Sequence, residues 1–421
     1  MAELTMHSPR ATRRRRLWRI VLGAVSLVLL VAGYFVISAA MARGPRMACL
    51  NEVSRRGGNI SATEMRVPHW LLLKMPSQTI HWVMQRPLLN RPAYSCKAAD
   101  AALLAKLADL GLANDFVKLV VQPTLRDPDL APLRAFTHLY SLSLADSALT
   151  DAGMASIAHC RNLEGLELAG TAVTDAGLKQ LRSLHQLNVL RLAGTKVSGP
   201  GLAHLLDHNR LLVLSLGHTP ITDASLAHLA GQRSISILEL DGTAVTDAGL
   251  SQLAALPELR YLDLSHTAVG DAGLATLASC TSLGGLYLKA TAVTDAGLAH
   301  LARMSKLNSL CLAGTAVTDA GLGQLAVLTT LREVSLSGNS VSKAGLIHLG
   351  MLPGLDTLYL MDAKLSSADL EALAPCTRLR ELYLAGTAIR QSDLDAWQKA
   401  HPSVSVLPEE RPKALMRHWF R

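Results

Sequence analysis

From residue 139 onward the apolar positions follow one recurring pattern: L-x-x-L-x-L, a short turn of small residues, a lone apolar position, then a second leucine spacing of helical type. The leading positions are Leu139, Leu163, Leu187, Leu211, Ile235, Leu259, Leu283, Leu307, Leu331, Leu355 and Leu379, each 24 residues after the last. A fixed period of roughly 20–50 residues marks a stacked array in which each unit buries its apolar face against the next. In Leu163–Leu168, alternation directs Leu166 and Leu168 inward and Gly165 and Glu167 to the opposite face of a short strand. Ala169 and Gly170 turn the chain, and Val173 returns to the core. Thr174 and Asp175 supply an N-cap for a helix whose inner side is Leu178, Leu181 and Leu184. Ala176 and Gly177 are small enough for close approach of adjacent coils. Thr171, repeated at Thr195, Thr219, Thr243, Thr267, Thr291, Thr315 and Thr387, has a hydroxyl suited to bonding neighbouring backbone in the turn, with Asn339 in the same place.

Outside the array the pattern changes twice. Ile20–Ala42 is 23 residues without a charge, long enough to cross a bilayer as a helix. Arg13, Arg14, Arg15, Arg16 and Arg19 precede it, against Arg43 and Arg46 after it, so the positive-inside bias places the N-terminus in the cytoplasm and the rest beyond the membrane. Two readings fit. An uncleaved anchor suits the length of the apolar run, whereas Ala40-Met41-Ala42 offers the small-x-small site of a cleaved signal peptide; the length favours the anchor. Residues 43–115 lack the period, contain five prolines and predict an N-terminal cap, with an amphipathic helix over Ala98–Leu112 ended by Gly111. A docking surface built on Trp70 and Trp82 is the rival reading of that stretch. The expected organisation is a basic tail (1–19), a transmembrane helix (20–42), a membrane-proximal cap (43–115), the repeat array (116–406) and a C-terminal tail (407–421).

Charge changes the picture less than the total suggests. The net +8 of the whole chain belongs to its ends, because residues 116–406 hold 21 basic and 25 acidic side chains. With aromatic content of only 4%, this argues against nucleic acid as a partner. Cys160, Cys280 and Cys376 occupy one repeat position, filled elsewhere by leucine, and read as core substitutes. Cys49 and Cys96 bracket the cap region and are the one pair proposed as a disulfide. No ligand spacing for a metal and no cofactor motif is present.

The V-T-D-A-G-L-x-x-L phrase and its 24-residue step resemble the leucine-rich repeat superfamily, in particular the cysteine-containing subclass of F-box substrate receptors and similar bacterial arrays. The likeness covers residues 139–406, and Phe116–Val121 resembles an earlier repeat one residue short. Threonine stands where the subclass carries its cysteine, and no F-box is recognisable, so a ubiquitin-ligase role is not implied. What the resemblance implies is a right-handed α/β solenoid, with a parallel sheet on the concave face and helices on the convex face. It also implies binding, mostly of proteins, through the concave face.

Candidate contact residues follow from the outward strand positions. Glu239, Asp241 and Asp263 form an acidic area beside His218 and His266. Tyr261, Tyr287, Tyr359 and Tyr383 bring aromatic rings to the same face, where such residues often anchor partners; the alternative is that tyrosine simply suits a strand. No catalytic constellation is present, so the expected role is a non-enzymatic, membrane-anchored scaffold that binds a protein outside the cytoplasm, in the periplasm if the cell is Gram-negative. A receptor for cell-wall glycan and an adaptor for a separate enzyme are the alternatives.

Overall fold

A computed structural model describes residues 59–63, 93–109, 111 and 113–407. The basic tail, the apolar run 20–42, Cys49, Trp70, Trp82 and nearly all of the C-terminal tail lie outside these residues, and with them the anchor and the Cys49–Cys96 pairing. Among the described residues no helix is long and apolar enough to cross a membrane.

The fifteen described strands form one sheet in sequence order. Asn59–Thr63 pairs antiparallel with Ala93–Ala99, and every later pairing is parallel, from Phe116–Val121 to Ser405–Leu407. Most strands are three residues long, and their partners lie 24 positions apart, as in Gly285↔Ser309 and Tyr287↔Cys311. Lys118↔Ser141 confirms that the first coil is one residue short. Near the start, the predicted helix is Ala101–Asp109 and its first predicted residues belong to the strand Ala93–Ala99. Asp100 marks the boundary by accepting the Leu103 amide at 2.7 Å. At the far end Trp397 is buried on the helix Gln391–Ala400 and stacks on His401 at 4.2 Å, covering the last coil.

The leucine ladder is continuous. Leu166, Leu190, Leu214 and Leu238 are each at most 1% exposed, as are the helix-side Leu178, Leu202, Leu226 and Leu250. The helical side alternates short α-helices such as Asp295–Leu301 with 3-10 turns such as Lys179–Ser183. A 24-residue coil leaves room for little more than two turns there. The core position of Cys160 and Cys376 also holds His208 and Gln232, both buried. These polar occupants act alike. Cys160 Sγ, His208 Nε2, Gln232 Nε2 and Cys376 Sγ lie 3.5, 3.0, 2.9 and 3.8 Å from the carbonyls of Leu133, Leu181, Leu205 and Leu349, each 27 residues back. They are more than leucine substitutes, because they satisfy the helix end of the preceding coil. The His208 contact assigns its proton to Nε2, and burial holds the ring below the usual histidine range.

The T-D-A-G phrase is an inter-coil clamp. Thr294 caps its own helix by accepting the Ala296 amide at 3.3 Å. Its amide and hydroxyl donate to the two oxygens of Asp271, one coil earlier, at 2.8 and 2.6 Å. The same pair of bonds joins Asp151 to Thr174, Asp223 to Thr246 and Asp319 to Ser342. The aspartate therefore serves the next coil, not its own helix. The glycine makes room for it: a Cβ at Gly297 would collide with the Asp271 carboxylate and lie 3.0 Å from Leu274 Cδ1. The turn threonines act locally, as Thr171 and Thr291 donate to the carbonyls of Leu168 and Leu288 at 2.7 Å. Asn339 instead bridges coils: its Oδ1 takes the Gly314 amide and its Nδ2 donates to Thr315.

Glycine at a helix position ordinarily costs about 1 kcal/mol relative to alanine, so Gly297→Ala would be stabilising if propensity decided. The clamp decides instead: Gly297→Ala is expected to lower stability by roughly 1–3 kcal/mol in denaturant melts. The turn position holding Gly170 and Gly314 in the left-handed region is occupied by the exposed Ala290 at φ 52°. There Ala290→Gly should raise stability by about 1 kcal/mol, and an unchanged melt would refute that reading.

Candidate functional site: the concave trough

Outward strand positions of successive coils line one open trough of about 1370 Å³ that runs from Glu167 to Asp362. The sheet is therefore the concave side. Tyr261, Tyr287, Glu239, Asp241 and Asp263 all line it, whereas Tyr359 and Tyr383 do not. The register puts Glu239 directly beside Asp263 and Tyr287 beside Asp263.

The tyrosines are not the exposed rings that the sequence suggests. Tyr261 and Tyr287 are 3% and 4% exposed and pack with Cys311 and Ala313 as a small apolar cluster separate from the main core. Their ring centroids are 4.8 Å apart. Gly285 makes this possible, since a Cβ there would lie 2.8 Å from Tyr261 Cδ2. Further along, Tyr359 and Tyr383 stack at 4.3 Å with planes 15° apart. Bulky side chains on neighbouring parallel strands only about 4.8 Å apart must lie against one another, and that is what hides them.

Their hydroxyls enter a chain of hydrogen bonds. Ser309 Oγ donates to Glu333 Oε2 at 3.0 Å, so the 2.7 Å contact between Tyr287 Oη and Ser309 Oγ is donated by the tyrosine. Tyr359 donates to Glu333 Oε1 at 3.2 Å, and Tyr383 to Glu381 Oε2 at 2.9 Å. Burial pushes the phenols of Tyr261, Tyr287 and Tyr359 up, so they stay neutral donors. Ser309 and Glu333 begin the strands Ser309–Cys311 and Glu333–Ser335, and nothing in the sequence marked them as partners of tyrosines one coil away.

The acidic end is built differently. His218 and His266 occupy the left-handed turn position at φ 54° and 58° and stand on the rim. His218 Nε2 lies 3.2 Å from Asp241 Oδ2 across one coil. Asp263 sits half-buried in the floor and accepts the Ser265 amide at 2.9 Å. Burial raises its carboxyl to about 6 against the lowering effect of Ser265, with further upward pushes from Asp241 and Glu239. Lys289, Ser337 and Met361 also line the trough; they follow the strands in the turn and carry no sequence signal beyond that place.

A carboxyl raised in the folded state keeps its proton up to about pH 6, while the unfolded chain releases it near 3.8. The folded state binds more protons between those values, so Asp263 subtracts stability as pH rises through that window. Asp263→Asn should therefore stabilise the protein at pH 8 by about 3 kcal/mol and leave it unchanged at pH 3.5, measured by melts across pH. Equal effects at both values would refute the assignment.

The Leucine Rich repeat family model matches residues 159–181, 256–278 and 327–350. No curated protein matches the chain in sequence. Among solved structures, an internalin (InlF) of Listeria monocytogenes is 23% identical over 66% of this chain and 83% of its own, with a TM-score of 0.49. A leucine-rich repeat protein of Leptospira interrogans is 18% identical over 72% and 86%, at 0.41. The ectodomain of the Arabidopsis thaliana receptor kinase GASSHO1/SCHENGEN3, solved with CASPARIAN STRIP INTEGRITY FACTOR 2, is 18% identical over 68% and 41%, also at 0.41. Three coils match the Leucine Rich repeat family model in sequence, and the coils between them keep the same strand register.

Proposed function

We propose that this protein is a binding scaffold that captures a protein ligand in its concave trough, held to a membrane by residues 20–42 with the trough on the side opposite the arginine-rich terminus. One observation carries the binding reading. The trough is continuous across successive coils, and its lining changes from coil to coil while the coil-building residues do not. Residues that repeat in every coil encode no preference among ligands; Glu239, Asp241, Asp263, Lys289 and the rim histidines do differ and face the open space. The acidic end suits a basic segment of the ligand, with Asp263 adding its charge only once ionised. The membrane part rests on the charge-free run Ile20–Ala42 and its flanking arginines.

Alanine at Tyr287 would report packing as much as contact, because the ring is buried, so the informative changes lie on the acidic end. A photoreactive residue placed at Lys289 in the trough should yield a discrete protein adduct in cells, and one at Ala302 on the helical side should not. Glu239→Ala with Asp241→Ala should reduce the Lys289 adduct about tenfold, a loss equivalent to roughly 1.4 kcal/mol. Identical adducts from Lys289 and Ala302 would refute the trough as the binding face. A reporter active only outside the cytoplasm, fused at the C-terminus, should be active; silence would overturn the orientation.

A further inference from the structure

The edge of the array where each helix returns to its strand carries a second concavity, separate from the trough. It encloses about 530 Å³ and is walled by Lys306, Asn308, Thr329, Arg332, Gly354 and Arg378, among others. All three cations are exposed, and none makes an ion pair among the described residues.

Two arginines on this edge are partnered, whereas others, such as Arg380 beside Leu379, make no ion pair among the described residues. Arg260, next to a leading leucine, is neutralised by Glu258 two residues earlier at 3.1 Å. Arg210, just before one, donates to Gln186 Oε1 one coil back at 2.5 Å. At Arg332 the place of Glu258 is taken by Thr330, whose hydroxyl is already turned to the carbonyls of Leu307 and Ser305 at 2.7 and 3.1 Å. For Arg378 the place of Gln186 is taken by Gly354, which has no side chain. A Cβ at Gly354 would lie 2.7 Å from the Leu331 carbonyl and 3.0 Å from that of Thr329, so the backbone itself forms the floor. The missing side chain opens the gap between Thr330 and Arg378. The nearby carboxylate of Asp356 accepts the Thr357 hydroxyl at 2.9 Å and pairs with neither arginine. Three unneutralised cations thus face one pocket in an array that is acidic overall.

We infer that this pocket binds phosphate or sulfate groups, with the guanidinium forks of Arg332 and Arg378 taking a tetrahedral oxyanion from two sides and Lys306 adding a point charge. Planar forks suit oxyanions through paired N–H donors, which exposed lysines alone do not offer. Lys306 and Arg378 sit three coils apart, about 14 Å at parallel-strand spacing. The site therefore spans enough of the edge to take a ligand bearing more than one such group. It lies off the concave face and does not depend on the trough being a protein-binding surface.

The test is calorimetric titration of the full-length chain in detergent at low salt with inorganic phosphate, inorganic sulfate and a heparin-derived hexasaccharide as the polysulfate probe. Binding of the hexasaccharide at least tenfold tighter than either free ion would support a ligand carrying several ester groups. Comparable binding of all three would support a single free oxyanion in the same pocket. R332Q/R378Q should weaken the binding at least tenfold with an unchanged melting temperature, since both side chains are exposed and make no bond. The charge-matched control K179Q/R182Q, on the exposed side of another coil, should change it less than twofold. Absence of binding by every probe, or equal losses in the two double variants, would overturn the inference.

Discussion

The architecture depends on the carboxylate that each coil from Asp151 to Asp319, Gly199 excepted, lends to the next. A single 24-residue coil cannot bury its leucines; they are covered only when a neighbour arrives in one register. Hydrophobic burial rewards stacking but is tolerant of sliding. The aspartate clamp is not. Asp271 must meet both the amide and the hydroxyl of Thr294, and its carboxylate occupies the space that Gly297 leaves empty. Two charge-assisted bonds and one steric fit therefore set the offset between coils, and the leucine ladder follows it.

With the helical flank clamped, the sheet becomes the inner side, and its outward positions face one another across a trough. Crowding on that side explains two results that contrast in outcome. Large rings close up, as Tyr261 over Gly285 and Tyr359 against Tyr383. Carboxylates crowd without neutralising one another, and Asp263 shares their repulsion as well as its burial. One geometry thus produces a closed, hydrogen-bonded aromatic patch and an electrostatically charged acidic end side by side.

A large part of the fold was legible in the residues. The 24-residue step, the inward leucines and the short first coil at Phe116 are all where the pattern put them. Local chemistry was legible too, because Thr174 caps its own helix and Thr171 bonds a carbonyl three residues back. Interactions that cross between coils were harder to see. Asp175 reads as part of its own helix start, yet its oxygens take the Ser198 hydroxyl and the Gly199 and Gly201 amides. His208 and Gln232 escape notice because their donors serve a carbonyl 27 residues back.

The sequence by itself determined the coil, since a strict period in apolar residues leaves one way to bury them. It also determined which positions face outward, because side-chain direction alternates along a strand. Tertiary structure decided how exposed those outward residues are. Whether a tyrosine stands free or lies flat depends on what occupies the next strand, a few ångströms away in space and two dozen residues away in the chain. Only the stacked array brings Gly285 beneath Tyr261, Glu333 beside Tyr359, and Lys306 and Arg378 to the same pocket.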